Sequence, residues 1–348
     1  MKIADFKLGS GKTFIVAELS ANHNGDLDLA CKTIESAAKA GADAVKIQTY
    51  RADTITLNSN SDDFKIKGGT LWDNITYYEL YEKAHTPWQW HEKLQQVAYE
   101  NGLVFFSSPF DKTAVDYLEK LNVPAYKIAS FEINDIPLIE YAASFGKPVI
   151  LSTGAAYKEE IEDAVAACRK VGNNNIILLK CTSSYPAPID EANLKMIKRM
   201  AVDFNCLTGL SDHTLNNTVA IAAVALGACM VEKHFILDKS INSPDNAFSL
   251  DEKEFKKFVE DVRTVESAIG NEDYEISEAS LKGRSFMRSL YAIKDIEKGE
   301  IFSYSNIGSY RPKLGLSPKY TYDVIGKKAK NNIKKYTPIN EDLIERGD

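Results

Sequence analysis

Long apolar runs, an excess of basic charge and paired cysteines are all missing from this 348-residue sequence. No stretch of 18 apolar residues occurs, so we expect no membrane-spanning helix. The N-terminal segment MKIADFKLGSGKTF lacks the apolar core of a signal peptide. The formal net charge of −7 gives no reason to expect a nucleic-acid or membrane partner. We therefore expect a cytoplasmic protein.

Cysteines are few and widely spaced. The chain has five, and no two of them form a Cys-x-x-Cys pair. This usage predicts reduced thiols that pack mostly in the core. Cys181 alone stands beside other polar residues, so it is the one cysteine considered for catalysis, with a packing role favoured.

Short β-rich segments alternate with helical patterns through the first 270 residues. This alternation predicts parallel strands joined by crossover helices, and eight units of this size are typical of a TIM (β/α)8 barrel. A doubly wound open sheet is the alternative, but the sequence lacks the G-x-G-x-x-G turn expected of it. The predicted strands are residues 14–19, 44–50, 103–108, 125–129, 148–152, 176–181, 207–211 and 230–234.

The alternation of strands and helices ends after residue 270. Residues 271–284 are polar and charged and predict a linker between a barrel of residues 1–270 and a small β-rich domain of residues 285–348. Two segments of that domain, 292–307 and 329–344, align without gaps and share an alanine, two isoleucines and a lysine. The weak duplication predicts two related turn-and-strand units. A domain this small often docks on a neighbour or on a second subunit.

Two lysines lie inside otherwise apolar predicted strands, at Lys46 and Lys127. Burying a lysine is costly unless it is paired. One such lysine alone would favour a structural ion pair. Two at the same register, beside Ser and Thr residues at neighbouring strand ends, predict a site for a phosphate and a carboxylate. In a TIM barrel these strand ends form the active site.

Histidine is scarce, with five residues in the chain. His213 and His234 end the last two predicted strands, which are neighbours in an eight-stranded barrel. Their imidazoles would converge and suit a divalent metal with open positions for substrate and water. A pair of hydrogen-bonded structural histidines is the alternative. His85 and His91 fall in a helical stretch and are expected at the surface.

Several motifs closely resemble the sialic acid synthase family, and the resemblance covers essentially the whole chain. They are FIVAELSANHNGDLDLA, AGADAVKIQTY, FSSPF, AYKIAS-x-E, LSTG, GLSDHT and VEKHF. The C-terminal segment is similar to the antifreeze-like (SAF) domain of these enzymes. Within the family, Ser20-Ala21-Asn22-His23, the insertion SDDFKIKGGTLWD and RSLYAIKDIEKGE look like the pseudaminic acid branch.

The resemblance implies a transferase that condenses phosphoenolpyruvate (PEP) with an open-chain acetamido sugar and releases phosphate by C–O cleavage. For this branch the sugar would be 2,4-diacetamido-2,4,6-trideoxy-L-altrose. It also implies a bound Mn²⁺ or Mg²⁺, with Co²⁺ as a third candidate, held by His213 and His234. A domain-swapped homodimer is implied as well.

The resemblance assigns roles to individual residues. Glu18, Glu132 and Lys127 would be catalytic, with the two glutamates handling protons and orienting water. Contacts to the sugar would come from Gln48, Tyr185, Asp245 and Arg311, the arginine being supplied by the other subunit. Ser183 stands where some relatives carry Asn. The residues implied to bind PEP are Lys46, Lys127, Ser108, Ser130, Ser152, Ser183 and Ser211.

Other functions compete with this one. An N-acetylneuraminate or legionaminate synthase would use PEP with another acetamido sugar. A Schiff-base pyruvate aldolase would use Lys127 or Lys46 as nucleophile and need no metal. The paired histidines and the many phosphate-type ligands count against it. A carbohydrate-binding role of the C-terminal domain is the non-enzymatic alternative, and the polar strand ends of the barrel count against it.

Overall fold

The computed structural model describes residues 1–67, 69 and 72–345. Part of the GGTL sequence in the insertion after the second predicted strand lies outside these residues. The chain divides into two compact units, Met1–Gly270 and Asn271–Asp348, which we call the barrel unit and the C-terminal unit. None of the described helices has the length and apolar character needed to cross a membrane.

Eight parallel strands close into a barrel, which confirms the predicted TIM fold. Two of them match the prediction to the residue and the other six differ by one residue at one or both ends. Strand β8 pairs with both β1 and β7 and so closes the barrel. The strands are β1 (Phe14–Glu18), β2 (Ala44–Thr49), β3 (Val104–Pro109), β4 (Tyr126–Ile128), β5 (Val149–Ser152), β6 (Ile176–Cys181), β7 (Leu207–Asp212) and β8 (Met230–His234).

Helices follow the strands, and many begin at a side chain that caps the free backbone N–H groups. Asp26, for example, accepts hydrogen bonds from Asp28 and Leu29 at the start of α1, and Asp251 forms a capping box with Glu254 at α10. The barrel unit contains α1 (Leu27–Lys39), α2 (Ala52–Ile55), α3 (Tyr77–Ala84), α4 (His91–Glu100), α5 (Lys112–Lys120), α6 (Ile136–Ala143), α7 (Lys158–Lys170), α8 (Lys195–Phe204), α9 (Thr218–Ala225) and α10 (Glu252–Ile269).

Alternation along the strands separates the apolar core from the polar interior of the barrel. In β2, Val45 and Ile47 pack in the cluster between strands and helices, whereas Lys46 and Gln48 take the alternate positions. A second apolar cluster gathers the first residues of several strands, including Phe14, with Ile3 and Leu8 of the N-terminal segment. The N-terminal end of the barrel is thus apolar, and the polar strand residues concentrate at the other end.

The C-terminal unit has a small apolar core. Its strands β9 (Ser289–Ala292) and β10 (Ile307–Tyr310) pair antiparallel. Ile296 and Ile333, which occupy equivalent positions in the predicted duplication, are both buried and exchange two backbone hydrogen bonds of 2.8 Å. Helix α11 (Glu278–Gly283) lies within the segment predicted as a linker, and helix α12 (Thr321–Val324) follows β10.

Candidate active site

Two buried lysines converge on one carboxylate inside the barrel. Lys46 Nζ lies 2.6 Å from Glu18 Oε2 and 3.8 Å from Glu232 Oε1. Lys127 Nζ lies 3.8 Å from the same Glu232 oxygen. None of the four side chains is more than 5% exposed. Two positive and two negative charges therefore share a site from which water is largely excluded.

The pKa directions show how these charges support one another. Burial would lower the pKa of Lys46, but Glu18 and Glu232 together outweigh it and the pKa is raised. Burial would raise the pKa of Glu232, but Lys127 and Lys46 outweigh it and the pKa is lowered. Burial dominates at Lys127, whose pKa is lowered, and at Glu18, whose pKa is raised. Glu232 is therefore the firmly ionised member that the two lysines share.

Serine hydroxyls surround the lysines, as the sequence predicts. Lys46 Nζ donates to Ser108 Oγ at 3.2 Å, and Lys127 Nζ donates to Ser152 Oγ at 2.7 Å. Ser211 Oγ donates to Glu232 Oε1 at 3.3 Å. The barrel thus brings ammonium and hydroxyl donors together, which is the donor set that a phosphate and a carboxylate require.

Ser130 and Ser183 meet around Gly154. The Gly154 N–H donates to Ser130 Oγ at 3.3 Å. A Cβ at position 154 would lie 2.3 Å from Ser183 Oγ and 3.0 Å from Ser130 Oγ, so any other residue would displace the Ser183 hydroxyl. Cys181 Sγ lies 3.9 Å from Ser183 Oγ. All the serines predicted to bind PEP therefore lie at this end of the barrel, and their role as ligands stays a prediction.

His213 and His234 lie side by side, with ring centroids 5.2 Å apart. His213 follows β7 directly, and its Nδ1 lies 3.2 Å from the Thr182 carbonyl and 3.7 Å from Cys181 Sγ. Burial raises the pKa of the Cys181 thiol, but His213, Ser130 and Lys127 together outweigh it and bring the pKa to about 7. An Nδ1–H that donates to a carbonyl leaves Nε2 with its lone pair available.

The donor set at these histidines fits a divalent metal. His234 Nδ1 is buried and has no hydrogen-bond partner within the described parts of the chain. Asp245 Oδ2 is 3.8 Å from it, which is too far for a hydrogen bond. Burial lowers the pKa of His234 well below its usual value, which keeps that ring neutral, as a metal ligand must be. At His213 burial is outweighed by Cys181 and its other partners and the pKa is raised, so this ring would release its proton on binding a metal. Among the residues that the structure describes, there is no cluster of three or more His, Cys, Asp or Glu side chains arranged for a metal. Two imidazoles would leave several coordination positions for substrate and water.

Glu132 lies in a short 3₁₀ turn, Ser130–Glu132, directly after β4. Burial raises the pKa of its carboxyl to about 7, although Lys127 lowers it. Its Oε2 is buried without a hydrogen-bond partner in the described structure. A carboxylate that titrates near neutrality is suited to accept or donate a proton at physiological pH.

The predicted sugar-binding residues of the barrel flank the same site. Gln48 Nε2 donates to Glu18 Oε1 at 2.9 Å. Tyr185 packs on His213 and on Phe248, with ring centroids 4.4 Å and 5.1 Å apart. Phe248 in turn lies 4.9 Å from His234. The histidine pair is therefore bounded by an aromatic wall.

Arg311 belongs to the C-terminal unit. There it lines a cavity of about 430 Å³ together with Tyr291, Tyr310, Lys335 and Tyr336. Its predicted contact with a sugar in another subunit stays a prediction.

Sequence reasoning does not single out Glu232 as a functional residue, although it contacts both lysines. The available signal was its position two residues before His234 in β8, which places both side chains on one face of the strand. The expectation of a surface position for His91 is wrong. Its side chain is fully buried, and its Nε2 lies 2.8 Å from Thr49 Oγ1, so a strand hydroxyl replaces water as its partner.

Comparison with known proteins identifies both units. The NeuB family profile matches residues 33–274, and the SAF domain profile matches residues 287–345. The chain is 50% identical over 334 residues to the pseudaminic acid synthase of Campylobacter jejuni subsp. jejuni serotype O:23/36 (strain 81-176), covering 96% of this chain and 97% of that protein. It is 40% identical over 334 residues to the N,N'-diacetyllegionaminic acid synthase of C. jejuni serotype O:2, covering 95% and 99%.

A solved structure agrees with this assignment. The spore coat polysaccharide biosynthesis protein SpsE from Bacillus subtilis aligns with a TM-score of 0.67 and 32% identity, covering 100% of this chain and 99% of that one. Fold, domain order and sequence therefore agree, and the chain belongs to the NeuB family.

Proposed function

We propose that this chain condenses PEP with the open-chain aldehyde of 2,4-diacetamido-2,4,6-trideoxy-L-altrose to give pseudaminic acid and phosphate. The main structural support for this function is that Lys46 and Lys127 both lie next to Glu232, beside two adjacent histidines. The 50% identity to a pseudaminic acid synthase supports this sugar over that of the legionaminic acid synthase, which is 40% identical.

The reaction joins PEP C3 to the aldehyde carbon, and the aldehyde oxygen takes a proton to become a hydroxyl. Water adds its oxygen to C2. The bond between C2 and the bridging oxygen then breaks, and that oxygen leaves with the phosphate. The products are one keto acid and one phosphate, so the atoms balance with a single water consumed. Lys46, Lys127 and the serines near them hold the phosphate and carboxylate, where they offset the negative charge of the departing phosphate.

Glu132 is the proton acceptor for the attacking water in this proposal. Its raised pKa keeps it close to half-ionised near neutrality, so it can take the proton and pass it on. Glu18 is held by Lys46 and Gln48 and orients the groups around it.

A divalent metal at His213 and His234 would supply positive charge that polarises the aldehyde oxygen. The buried cluster has no net charge, because it contains two lysines and two glutamates, Lys46, Lys127, Glu18 and Glu232. A bound PEP anion would therefore add negative charge, which a divalent cation would offset. Titration of the metal-free protein with Mn²⁺, followed by electron paramagnetic resonance, tests this. His234→Ala should weaken binding at least about 100-fold, since even changes behind a ligand cost roughly 10–100-fold. Equal affinity of His234→Ala and the wild type would contradict the site.

Arg311 would act on the sugar in the other subunit of a domain-swapped homodimer. Mixed dimers of Arg311→Ala and Glu132→Gln test this arrangement. If the arginine acts across subunits, one site of each mixed dimer holds both intact residues and activity returns. If it acts within its own subunit, every site carries one defect and activity stays low.

The direct test is a sugar panel with PEP and Mn²⁺ in which phosphate release is measured. We expect turnover of the 6-deoxy diacetamido altrose, and loss of turnover with EDTA. Turnover of N-acetylmannosamine alone, or of the legionaminic acid precursor alone, would overturn the sugar assignment. EDTA-insensitive turnover would overturn the metal requirement.

One observation favours the Schiff-base alternative, because burial lowers the pKa of Lys127 as a lysine nucleophile requires. Borohydride in the presence of pyruvate would trap such an adduct on Lys127. We expect no adduct, because Glu232 and Ser152 already engage the ammonium group.

A further inference from the structure

Ser20 holds a backbone conformation that glycine adopts with less strain. Its φ is 44°, in the left-handed region, at the first central position of a turn closed by the Asn22 N–H donating to the Leu19 carbonyl at 3.0 Å. Side chains other than those of Gly, Asn and Asp rarely occupy this region because Cβ approaches the backbone. Strain of this kind persists where the surroundings impose it, and it often marks a functional position.

The turn at Ser20 contacts two of the proposed sugar-binding residues, Gln48 and Asp245. Gln48 Nε2 donates to Ser20 Oγ at 3.0 Å. The left-handed turn directs the next backbone N–H, that of Ala21, to Asp245 Oδ2 at 3.4 Å. Ser20 is 6% exposed, so these bonds are shielded from water.

This link fixes which atom of Gln48 is available for a ligand. Its Nε2 already donates to Glu18 Oε1 and to Ser20 Oγ, so both amide hydrogens are used. A carboxylate accepts only, which settles the orientation of the amide. The carbonyl oxygen of Gln48 is left as the group that can accept from a sugar hydroxyl or an acetamido N–H.

Asp245 is fixed by the same turn on the opposite side. The loop that carries it follows β8, and its Oδ2 lies 3.8 Å from His234 Nδ1. The turn at Ser20 therefore lies between the lysine–carboxylate cluster, which the Ser20 hydroxyl reaches through Gln48, and the histidine pair, which the Ala21 N–H reaches through Asp245.

We propose that Ser20 is a positioning residue for the sugar: its hydroxyl orients the Gln48 amide, and its left-handed turn directs the Ala21 N–H to Asp245. This inference rests on the proposed function for the identity of the substrate. It assigns Ser20 an effect on the sugar and none on PEP, because the hydroxyl contacts neither lysine.

Two substitutions separate the hydroxyl from the backbone strain. Ser20→Gly removes both, whereas Ser20→Ala removes the hydroxyl and keeps the Cβ. Both should lower kcat/KM for the sugar by about threefold to tenfold, as expected for losing the hydrogen bond that holds the Gln48 amide. KM for PEP should stay within about twofold of the wild-type value. The Tm of Ser20→Gly should equal or exceed that of the wild type, because the strain is relieved.

Ala4→Gly is the matched control. Ala4 is exposed and has a φ of 49°, so this change relieves similar strain away from the candidate site. It should leave both kinetic constants unchanged. The proposal is overturned if the Ser20 variants keep their sugar kcat/KM within about twofold, or if PEP and sugar constants fall together with a lowered Tm.

A substrate-free comparison distinguishes failure of this inference from failure of the proposed function. Crystal structures of Ser20→Ala and of the wild type should differ in the position of the Gln48 side-chain amide, which loses its contact with the hydroxyl. Unchanged side chains overturn the positioning role whatever the substrate is. If the wild type releases phosphate with none of the tested sugars, the proposed function fails, and these structures still decide the role of Ser20.

Discussion

Lys233 Nζ lies 2.7 Å from Asp212 Oδ2, and neither side chain is more than 1% exposed. Lys233 Nζ also donates to the Thr214 carbonyl at 2.6 Å, and Asp212 Oδ1 accepts from the Thr214 N–H at 2.9 Å. His213 lies between Asp212 and Thr214, and His234 follows Lys233. The ion pair therefore ties together the two strand ends that carry the histidines.

Lys233→Met should lower the free energy of unfolding by about 3 kcal/mol or more, because it leaves a buried carboxylate unpaired. Chemical denaturation of the variant and the wild type measures this. Lys334→Met, which breaks the exposed pair with Asp295, is the control and should change stability little. Equal effects of the two substitutions would show that the buried pair has no special role.

Lys127→Met should raise KM for PEP by roughly tenfold to a hundredfold, the range expected for a charge-assisted hydrogen bond. The physical reason is that the substitution removes the ammonium group, held between Ser152 and Glu232, that is proposed to bind the PEP anion. Initial-rate kinetics with each substrate varied in turn would measure it. Lys180→Met is a suitable control, because Lys180 is also a strand lysine but donates to the Cys181 carbonyl instead. A PEP KM that Lys127→Met leaves unchanged would exclude Lys127 from PEP binding.

The ionisation of Glu132 should appear in the pH dependence of activity. Its pKa of about 7 means that the carboxylate, the form able to accept a proton, becomes predominant only above that pH. We expect kcat/KM to rise with pH up to about 7 and then level off. Glu132→Gln should lower the rate and abolish this acidic limb. Persistence of the limb in the variant would assign it to another group.

The same pKa has a consequence for stability. Between the ordinary value of 4.5 and about 7, the folded chain keeps a proton on Glu132 that the unfolded chain has lost. The free energy of unfolding therefore falls as pH rises through this window. Glu132→Gln should reduce that fall, and denaturation curves at pH 5 and pH 8 would reveal it. An identical pH dependence in variant and wild type would mean that Glu132 is not buried as described.

The strands could be predicted because their signal is local. In β6, the apolar run IILL follows three asparagines and marks the start of the strand to the residue. Once a barrel is inferred, strand-end positions follow, and so the lysines, serines and histidines are found together. Local periodicity was therefore enough to predict the strands and the residues at their ends.

Contacts between distant segments could not be predicted in the same way. The meeting of Lys46 and Lys127 at one oxygen of Glu232 depends on side-chain lengths and on the stagger between strands. The burial of His91 depends on the Thr49 hydroxyl, which lies 42 positions away. The left-handed conformation of Ser20 carries no sequence signal, because serine is not the residue that this conformation favours.

The fate of the PEP bridging oxygen tests the central claim most directly. PEP labelled with oxygen-18 at the C2–O position would be turned over with the sugar and Mn²⁺, and the released phosphate analysed by mass spectrometry. The account predicts that the label leaves with the phosphate and that the C2 oxygen of the product comes from water. A parallel reaction in oxygen-18 water completes the test. Phosphate that carries oxygen from this water would contradict C–O cleavage and the proposed condensation.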